Sequence, residues 1–216
     1  MAQIFCFGDS ITYGAWDIAS SGWAQKLRMY LDKRQKEDSS LYFLTYNLGV
    51  PGETTNGLMN RFLSETKVRI REDRQEENIF IFAYGANDAA IMLNQNQFCV
   101  DAEDFKNNLE NVVNQAKKFG NKILIINISP VNEELAANPV NRNKSRLNKY
   151  IEAYNKIIKE ITDSKGAYLV DVNSAFMDND YKSLFSEDGL HPNEVGHQIM
   201  FNELLKIIKP IIGLNN

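Results

Sequence analysis

The sequence predicts an α/β fold built around a parallel sheet, and three observations favour it. Apolar runs of strand length alternate with longer segments of helical period, which is typical of βαβ units. Two of these runs, 79–84 and 123–128, are apolar almost throughout, as expected of strands that helices cover on both faces. The length of 216 residues, with 44% hydrophobic residues, fits one domain over 1–216 with a substantial core.

The predicted elements alternate regularly along the chain. Strands are predicted at 4–7, 42–48, 79–84, 123–128 and 168–171. Helices are predicted at 22–35, 55–71, 102–119, 145–164 and 193–208. The last helix follows Pro192 and ends near Pro210, which fits the usual start and stop signals of helices.

Candidate functional residues follow these strands. Ser10 lies in the run FGDSITYG (7–14), Gly52 in GVPGET (49–54) and Asn87 in GAND (85–88). A fourth segment, DGLHP (188–192), contains Asp188 and His191. In an open α/β sheet, ligands bind beyond the carboxyl ends of the strands, so we expect the first three segments to meet at one edge.

In this combination and order, the four segments resemble those of the SGNH hydrolases, also called the GDSL esterases and lipases. The resemblance spans almost the whole chain. It implies a flavodoxin-like three-layer α/β/α fold whose five-stranded parallel sheet has the order 2-1-3-4-5. It also implies a serine hydrolase that cleaves a small-molecule acyl ester through an acyl-enzyme intermediate, without a cofactor.

A serine, a histidine and a carboxylate are the parts of an acyl-transfer site. Ser10 is the predicted nucleophile. A serine hydroxyl attacks well only when an adjacent base removes its proton, so a base must lie beside it. His191 is the predicted general base, and Asp188, three residues earlier, is expected to orient its ring. We predict that Asp9 stabilises the turn before Ser10. His197, within the last helix and without a nearby acid turn, is predicted to be solvated or to cap a helix.

The family pattern places three donors in an oxyanion hole: the backbone N–H groups of Ser10 and Gly52, and the side-chain amide of Asn87. Glycine permits close approach of the backbone to a ligand, although Gly52 is equally suited to a turn after Pro51. Asparagine is also a common helix cap, and here Asp88 is the better candidate for that role.

Substrate contacts are less sharply defined by the sequence. Ile91, Met92 and Leu93, together with Phe98, are candidates to contact the acyl chain, and packing into the core is the alternative. The basic residues Arg142, Lys144, Arg146 and Lys149 are predicted to form the solvated start of a helix rather than an anion site.

Composition excludes several other classes of function. A net charge of -4 predicts no nucleic-acid binding, and no apolar run reaches the ~20 residues of an integral membrane segment. Two cysteines and two histidines predict neither a disulfide framework nor a metal site, and there is no Walker A or dinucleotide-binding motif. The start of the sequence does not resemble a signal peptide, which predicts a cytoplasmic protein. Nothing in the sequence sets the oligomeric state.

Two alternative functions stay open. A carbohydrate acetylesterase or an acyl thioesterase would use the same catalytic residues on a different substrate. A non-catalytic binding domain with the same pocket is the alternative from another class, and the complete set of catalytic residue types argues against it.

Overall fold

The computed structural model describes residues 1–71, 76–137 and 143–214. At its centre is a five-stranded sheet of β1 (Ala2–Gly8), β2 (Phe43–Gly49), β3 (Glu77–Ala83), β4 (Lys122–Ile126) and β5 (Tyr168–Val170). All neighbouring strands are parallel. Their order, β2-β1-β3-β4-β5, is the predicted order 2-1-3-4-5.

Helices flank the sheet in two groups. They are α1 (Ser10–Tyr13), α2 (Gly22–Glu37), α3 (Thr55–Lys67), α4 (Ala102–Ala116), α5 (Glu133–Ala136), α6 (Asn148–Lys165), α7 (Val172–Met177) and α8 (Glu194–Ile211). A 3₁₀ turn, Tyr181–Leu184, precedes α8. Helices α2 and α7 both contact α8, whereas α4 contacts both α3 and α6. These two contacting groups are the outer layers of the predicted three-layer fold.

The central strands are buried along their length because both faces carry apolar side chains. Every residue of β1 is buried. The rings of Phe5 and Phe80 stack with centroids 5.0 Å apart, and Phe62 of α3 packs against Phe80 and against Phe7. Aromatic pairs of this kind contribute about 0.5–1.5 kcal/mol beyond the area that they bury. The rigid sheet fixes the positions of the loops at its carboxyl edge.

One helix boundary differs from the prediction for a specific reason. The helix predicted from residue 145 begins at Asn148, because Lys144–Ser145 forms a short strand. This strand pairs antiparallel with Ile91–Met92, which also pairs with Gln97–Phe98. The small three-stranded sheet fastens the segment after Asn87 to the segment before α6.

Candidate active site

The structure brings together the segments that the sequence singled out. Ser10 follows β1, Gly52 follows β2, and Asn87 follows β3, so parallel strand ends place them at one edge of the sheet. These three residues and His191 line one cavity of about 820 Å³. Asp188 lies next to His191 in the loop before α8.

Ser10 is positioned by a tight junction between β1 and α1. It is the first residue of α1, and the Asp9 carboxylate caps that helix by accepting a 2.9 Å hydrogen bond from the Ile11 N–H. Only glycine fits at position 8, since a Cβ there would lie 1.9 Å from the Thr12 Oγ1 and 2.9 Å from the Ala83 carbonyl oxygen. The turn-stabilising role predicted for Asp9 is confirmed.

A continuous chain of hydrogen bonds connects Ser10, His191 and Asp188. The Ser10 Oγ lies 2.8 Å from the His191 Nε2, and the His191 Nδ1 lies 2.6 Å from the Asp188 Oδ2. The other oxygen of Asp188 accepts the backbone N–H groups of Leu190 and His191, each at 3.0 Å. Burial alone would raise the pKa of Asp188, but these bonds hold it well below its usual range. The carboxylate therefore stays ionised beside the imidazole.

Trp16 also contacts this histidine, which the sequence did not indicate. Its indole Nε1 lies 3.0 Å from the His191 Nδ1, and the two rings meet edge-on at 88°. The Nδ1 atom cannot both accept a hydrogen bond from the Trp16 N–H and donate one to Asp188. The 2.6 Å contact with a carboxylate decides between them, since an unprotonated Nδ1 would be repelled at that distance. His191 therefore holds its proton on Nδ1 and presents the Nε2 lone pair to Ser10.

The orientation of the Asn87 amide is fixed by its partners on both ends. Its Oδ1 accepts a 2.9 Å hydrogen bond from the Nη2 of Arg146, whose Nε also binds the Ala86 carbonyl at 3.0 Å. Its Nδ2 donates to the Glu53 carbonyl at 3.0 Å and to the Asp9 Oδ2 at 3.2 Å. The donor end of the amide therefore faces the segments that contain Ser10 and Gly52.

Two buried carboxylates support these loops. Asp88 accepts both the backbone N–H (2.9 Å) and the hydroxyl (2.6 Å) of Thr55, the first residue of α3. It therefore caps a helix, the role for which it was the better candidate than Asn87. Burial raises the pKa of Asp88 to about 6. Burial likewise raises the pKa of Asp9 to about 6, although the Ile11 N–H and the nearby His191 and Arg146 oppose that shift.

The loop that contains Gly52 is held by an ion pair that sequence inspection missed. Arg61 binds the Glu53 carboxylate through its Nε and Nη2 at 2.6–2.9 Å, and the Tyr84 hydroxyl donates to Glu53 at 2.5 Å. Gly52 itself has φ 79°, a left-handed conformation that favours glycine. Within the described ranges, the backbone N–H groups of Ser10 and Gly52 donate to no protein acceptor.

The predicted substrate contacts are divided by the structure. Met92 lines the cavity, but Ile91 and Leu93 are not among its lining residues. Alternate residues of a strand point to opposite sides, so the Ile91–Met92 strand cannot present both side chains to one cavity. Phe98 instead packs against the rings of Tyr150 and Tyr154.

The members of the predicted basic cluster lie in different surroundings. Arg146 is only 6% exposed and binds Asn87, so the prediction of a solvated helix start is wrong for this residue. Lys144 lines the cavity, whereas the exposed Lys149 lies over the Tyr150 ring. Arg142 lies outside the described residues.

His197 corrects a second expectation. Its side chain is fully buried, with 0% exposure, so the solvated alternative is wrong, whereas its bond to a backbone N–H in the first turn of α2 is the predicted capping role. The Nδ1 accepts the Trp23 backbone N–H at 3.3 Å, and burial lowers the pKa of the imidazole to about 4. The face of α8 explains this burial, because His197, Met200, Leu204 and Ile208 are all buried on it.

The described part of the chain offers neither a metal site nor a helix that could span a membrane. There, no three His, Cys, Asp or Glu side chains are grouped so that they could hold a metal ion. No helix in the same ranges has both the length and the apolar composition needed to cross a bilayer.

Comparison with known proteins gives the family. A profile of the GDSL-like lipase/acylhydrolase family matches residues 6–199, which include every candidate catalytic residue. The chain belongs to this family. The match confirms the family that the four segments indicated.

Individual similarities to this GDSL-like chain are more distant. The uncharacterized lipoprotein YqeF of Bacillus subtilis (strain 168) is 28% identical over 132 residues, which cover 61% of this chain. The match spans 50% of that relative's length.

Among solved structures, LAE5, an alpha/beta hydrolase enzyme from the metagenome of Lake Arreo, Spain, aligns with a TM-score of 0.75 at 20% identity. That alignment covers 100% of this chain and 97% of LAE5. Axe2, an acetylxylan esterase from Geobacillus stearothermophilus, aligns with a TM-score of 0.71 at 18% identity, over 95% and 93% of the two chains. At these identities the two alignments show a shared fold.

Proposed function

We propose that the protein is a serine hydrolase that cleaves carboxylic esters of small molecules through an acyl-enzyme intermediate. The observation that supports this most strongly is the chain of hydrogen bonds from Ser10 through His191 to Asp188, with contacts of 2.8 and 2.6 Å. Its open end, the Ser10 Oγ, lies in the 820 Å³ cavity, where a substrate carbonyl can reach it.

The proposed acylation step gives each of these groups a role. The Ser10 Oγ attacks the ester carbonyl carbon while the His191 Nε2 removes its proton, and Asp188 stabilises the imidazolium that forms. The tetrahedral intermediate then collapses, the bond to the alcohol breaks, and His191 gives its proton to the departing oxygen. In the second half, His191 takes a proton from water, which attacks the carbonyl carbon of the acyl-enzyme. The bond to the Ser10 Oγ then breaks, His191 returns the proton to that oxygen, and the acid leaves.

The negative charge of the tetrahedral oxygen needs donors that are already in place. We assign this role to the backbone N–H groups of Ser10 and Gly52, which bind no other described protein acceptor, and to the Asn87 Nδ2. Both Asn87 protons have acceptors in the unliganded site. Its role therefore requires the longer bond, 3.2 Å to Asp9, to be exchanged for a bond to the substrate oxygen.

Met92 is the proposed contact for the acyl chain. It lines the cavity and follows the Asn87 segment, on the Ile91–Met92 strand that is paired on both sides. An apolar, flexible thioether suits an acyl chain of variable shape. Ile91 and Leu93 are not part of this proposal.

An acetylated carbohydrate is the second candidate substrate. One observation favours it: the aromatic side chains of Tyr13 and Trp16 are more than half exposed, and both line the cavity. Flat aromatic faces with a polar edge suit a ring that has both apolar and hydroxyl surfaces. The likeness to an acetylxylan esterase concerns the fold and adds nothing to this choice.

A substrate panel tests the proposed function. Wild-type protein is incubated with p-nitrophenyl esters of increasing acyl length, an acyl thioester and an acetylated sugar, and Ser10→Ala is the matched control. We expect turnover of at least one class by wild type and a loss of several orders of magnitude in Ser10→Ala. Comparable turnover by the two proteins would remove Ser10 from the mechanism, and no turnover by folded wild type on any substrate would favour the non-catalytic alternative.

The cellular location is a separate proposal. Cys6 is buried and Cys99 is partly buried, and neither forms a disulfide, which is compatible with a reducing cytoplasm. The name of the Bacillus subtilis relative, a lipoprotein, points instead to a membrane surface. Fractionation of the source cells, with detection of the protein in soluble and membrane fractions, decides between the two locations.

A further inference from the structure

We propose that Trp16 forms the leaving-group side of the substrate pocket, with its indole ring stacked against the alcohol part of the ester. This assignment rests on the ester hydrolysis proposed above and deepens it. It names a specificity-determining residue and a class of substrate: esters whose alcohol is a ring with a flat apolar face.

The position of Trp16 beside the base supports this role. Its ring meets the His191 ring edge-on with centroids 6.0 Å apart, and both residues line the cavity. In the proposed mechanism, His191 delivers its proton to the departing alcohol oxygen, so that oxygen must come within hydrogen-bond distance of the Nε2. The alcohol therefore leaves along the side of the cavity that His191 and its neighbours form.

Two other exposed apolar side chains line the cavity together with Trp16. Trp16 is 59% exposed, Tyr13 is 57% exposed and Ile18 is 99% exposed, and all three line the cavity. Large apolar side chains that remain exposed together commonly mark a binding surface. An aromatic ring also offers a wide and rigid contact face at little cost in side-chain entropy.

The backbone at Trp16 has a conformation that is unfavourable for this residue type. Trp16 has φ 69°, which is rare for a residue with a bulky side chain. The next residue, Asp17, is buried and its carboxylate accepts the backbone N–H groups of Ala19, Ser20 and Gly22 at 3.0–3.1 Å. These bonds set the path of the loop around Asp17. Backbone strain maintained in this way is concentrated at functional sites.

The contributions of the indole N–H and of the aromatic face can be measured separately with two variants of Trp16. Because the His191 Nδ1 donates its proton to Asp188, the Trp16 N–H makes no productive hydrogen bond with the base. Stacking on the alcohol needs only the aromatic face. Trp16→Phe keeps such a face and removes the N–H, whereas Trp16→Ala removes both.

Met92 provides a matched comparison within the same cavity. The acyl group and the alcohol occupy different positions on the tetrahedral carbon, so they extend in different directions. Met92 is proposed above to contact the acyl group, and its segment is connected to Asn87 rather than to His191. Variants of Trp16 and Met92 should therefore affect opposite halves of the substrate.

The experiment measures kcat/KM over two ester series with wild type, Trp16→Phe, Trp16→Ala and Met92→Ala. One series keeps the acetyl group and varies the alcohol between phenol, a pyranose sugar and ethanol. The other keeps phenol and varies the acyl length from acetyl to octanoyl. Tyr168→Ala, which removes a 46% exposed aromatic side chain outside the cavity, is the control for surface substitution.

Trp16→Ala should lower kcat/KM by about 3- to 10-fold for the ring alcohols, the range of one aromatic contact, with little change for ethyl acetate. Its order of preference for acyl length should match wild type. Trp16→Phe should retain most activity on both ring alcohols, and Met92→Ala should alter the acyl preference only. Of the phenyl and sugar esters, the one whose kcat/KM falls more in Trp16→Ala is the better fit to the Trp16 ring.

Two results would overturn this assignment while leaving the proposed function intact. Equal losses on ethyl and ring alcohols would mean that Trp16 acts through His191 or the loop. Ring-selective losses in Tyr168→Ala as well would mean that the effect is not local to the cavity. Wild-type protein that cleaves none of the esters would overturn the proposed function and this inference with it. Thermal unfolding of each variant confirms that folded proteins are compared.

Discussion

Arg146 donates a 2.9 Å hydrogen bond from its Nη2 to the Oδ1 of Asn87. The Arg146 side chain is buried and also binds the Ala86 carbonyl, so one guanidinium holds both the backbone and the side chain of this segment. A bond from a charged donor is stronger than a neutral one and polarises the amide. Arg146 is therefore a positioning residue that makes the Asn87 Nδ2 a better donor toward the reacting oxygen.

Arg146→Lys should reduce turnover without abolishing binding. Lysine keeps the positive charge but cannot direct two parallel N–H groups at the Ala86 and Asn87 oxygens. We expect kcat for an activated ester to fall roughly 10-fold, as for the loss of one charge-assisted hydrogen bond, with KM nearly unchanged. Lys149→Ala, an exposed change in the same region, should keep wild-type kcat. Wild-type kcat in folded Arg146→Lys would show that Arg146 does not act on catalysis.

Asn87 variants test the oxyanion hole itself. The amide bond strengthens as the carbonyl oxygen gains charge, so Asn87→Ala should lower kcat by roughly 10²–10³-fold with little change in KM. Asn87→Asp should be at least as damaging, because a carboxylate would face the developing negative charge. The measurement is kcat and KM for one activated ester, with thermal unfolding as the control. Near-wild-type kcat in both folded variants would make Asn87 a structural residue.

Ser10 and His191 should behave as one catalytic unit. His191→Ala should be nearly as inactive as Ser10→Ala, and the double variant should be little worse than either single one. Steady-state turnover of the three proteins on the same ester gives this comparison. Losses that multiply in the double variant would mean that the two residues act independently, contrary to their 2.8 Å contact.

His197 should make stability depend on pH. Its folded pKa of about 4 lies below the ordinary value of 6.5, so between these values the unfolded chain binds a proton that the folded protein excludes. The contribution of His197 to stability is therefore complete above pH 6.5 and is lost as pH falls toward 4, by up to about 3 kcal/mol. Asp9 and Asp88, whose folded pKa values are raised to about 6, change stability in the opposite direction over this range. The effect of His197 is therefore measured as the difference between wild type and a His197 variant in urea unfolding at pH 7 and pH 4.5.

The matched variant for this prediction is His197→Gln. It has no titratable group at this position, so on acidification from pH 7 to pH 4.5 wild type should lose more stability, or gain less, than the variant. His191→Ala should retain the part of the pH dependence that His197 causes. Equal changes in stability in wild type and His197→Gln would show that His197 does not contribute to the pH dependence.

The main sheet was predictable because its strands are marked by local sequence. A short apolar run such as 79–84, rich in isoleucine and aromatic residues and followed by Gly85, is typical of a buried strand, and β3 occupies most of that run. The Ile91–Met92 strand is too short to show any period, and its pairing depends on where Lys144–Ser145 lies in space. For this reason the small sheet, and with it the start of α6, was not predictable.

The candidate site divides in the same way. The segments that contain Ser10, Gly52, Asn87 and His191 could be identified because each has a recognisable local pattern. Arg146 could not, since it is 59 residues from Asn87 and its contact depends on the folded path of the chain. His197 did have a usable signal, because it has helical spacing with Met200 and Leu204 on the buried face of α8. A polar residue on an apolar helical face predicts burial, whatever its ordinary preference.

Reaction with a fluorophosphonate tests the central claim most directly. This reagent transfers its phosphonyl group to an activated serine oxygen and releases fluoride, so it reports a nucleophilic serine without requiring the natural substrate. We predict one adduct per wild-type chain, located on Ser10 by peptide mass spectrometry, and none in Ser10→Ala. Folded wild-type protein that stays unlabelled, or an adduct on another residue with Ser10 unmodified, would contradict the account.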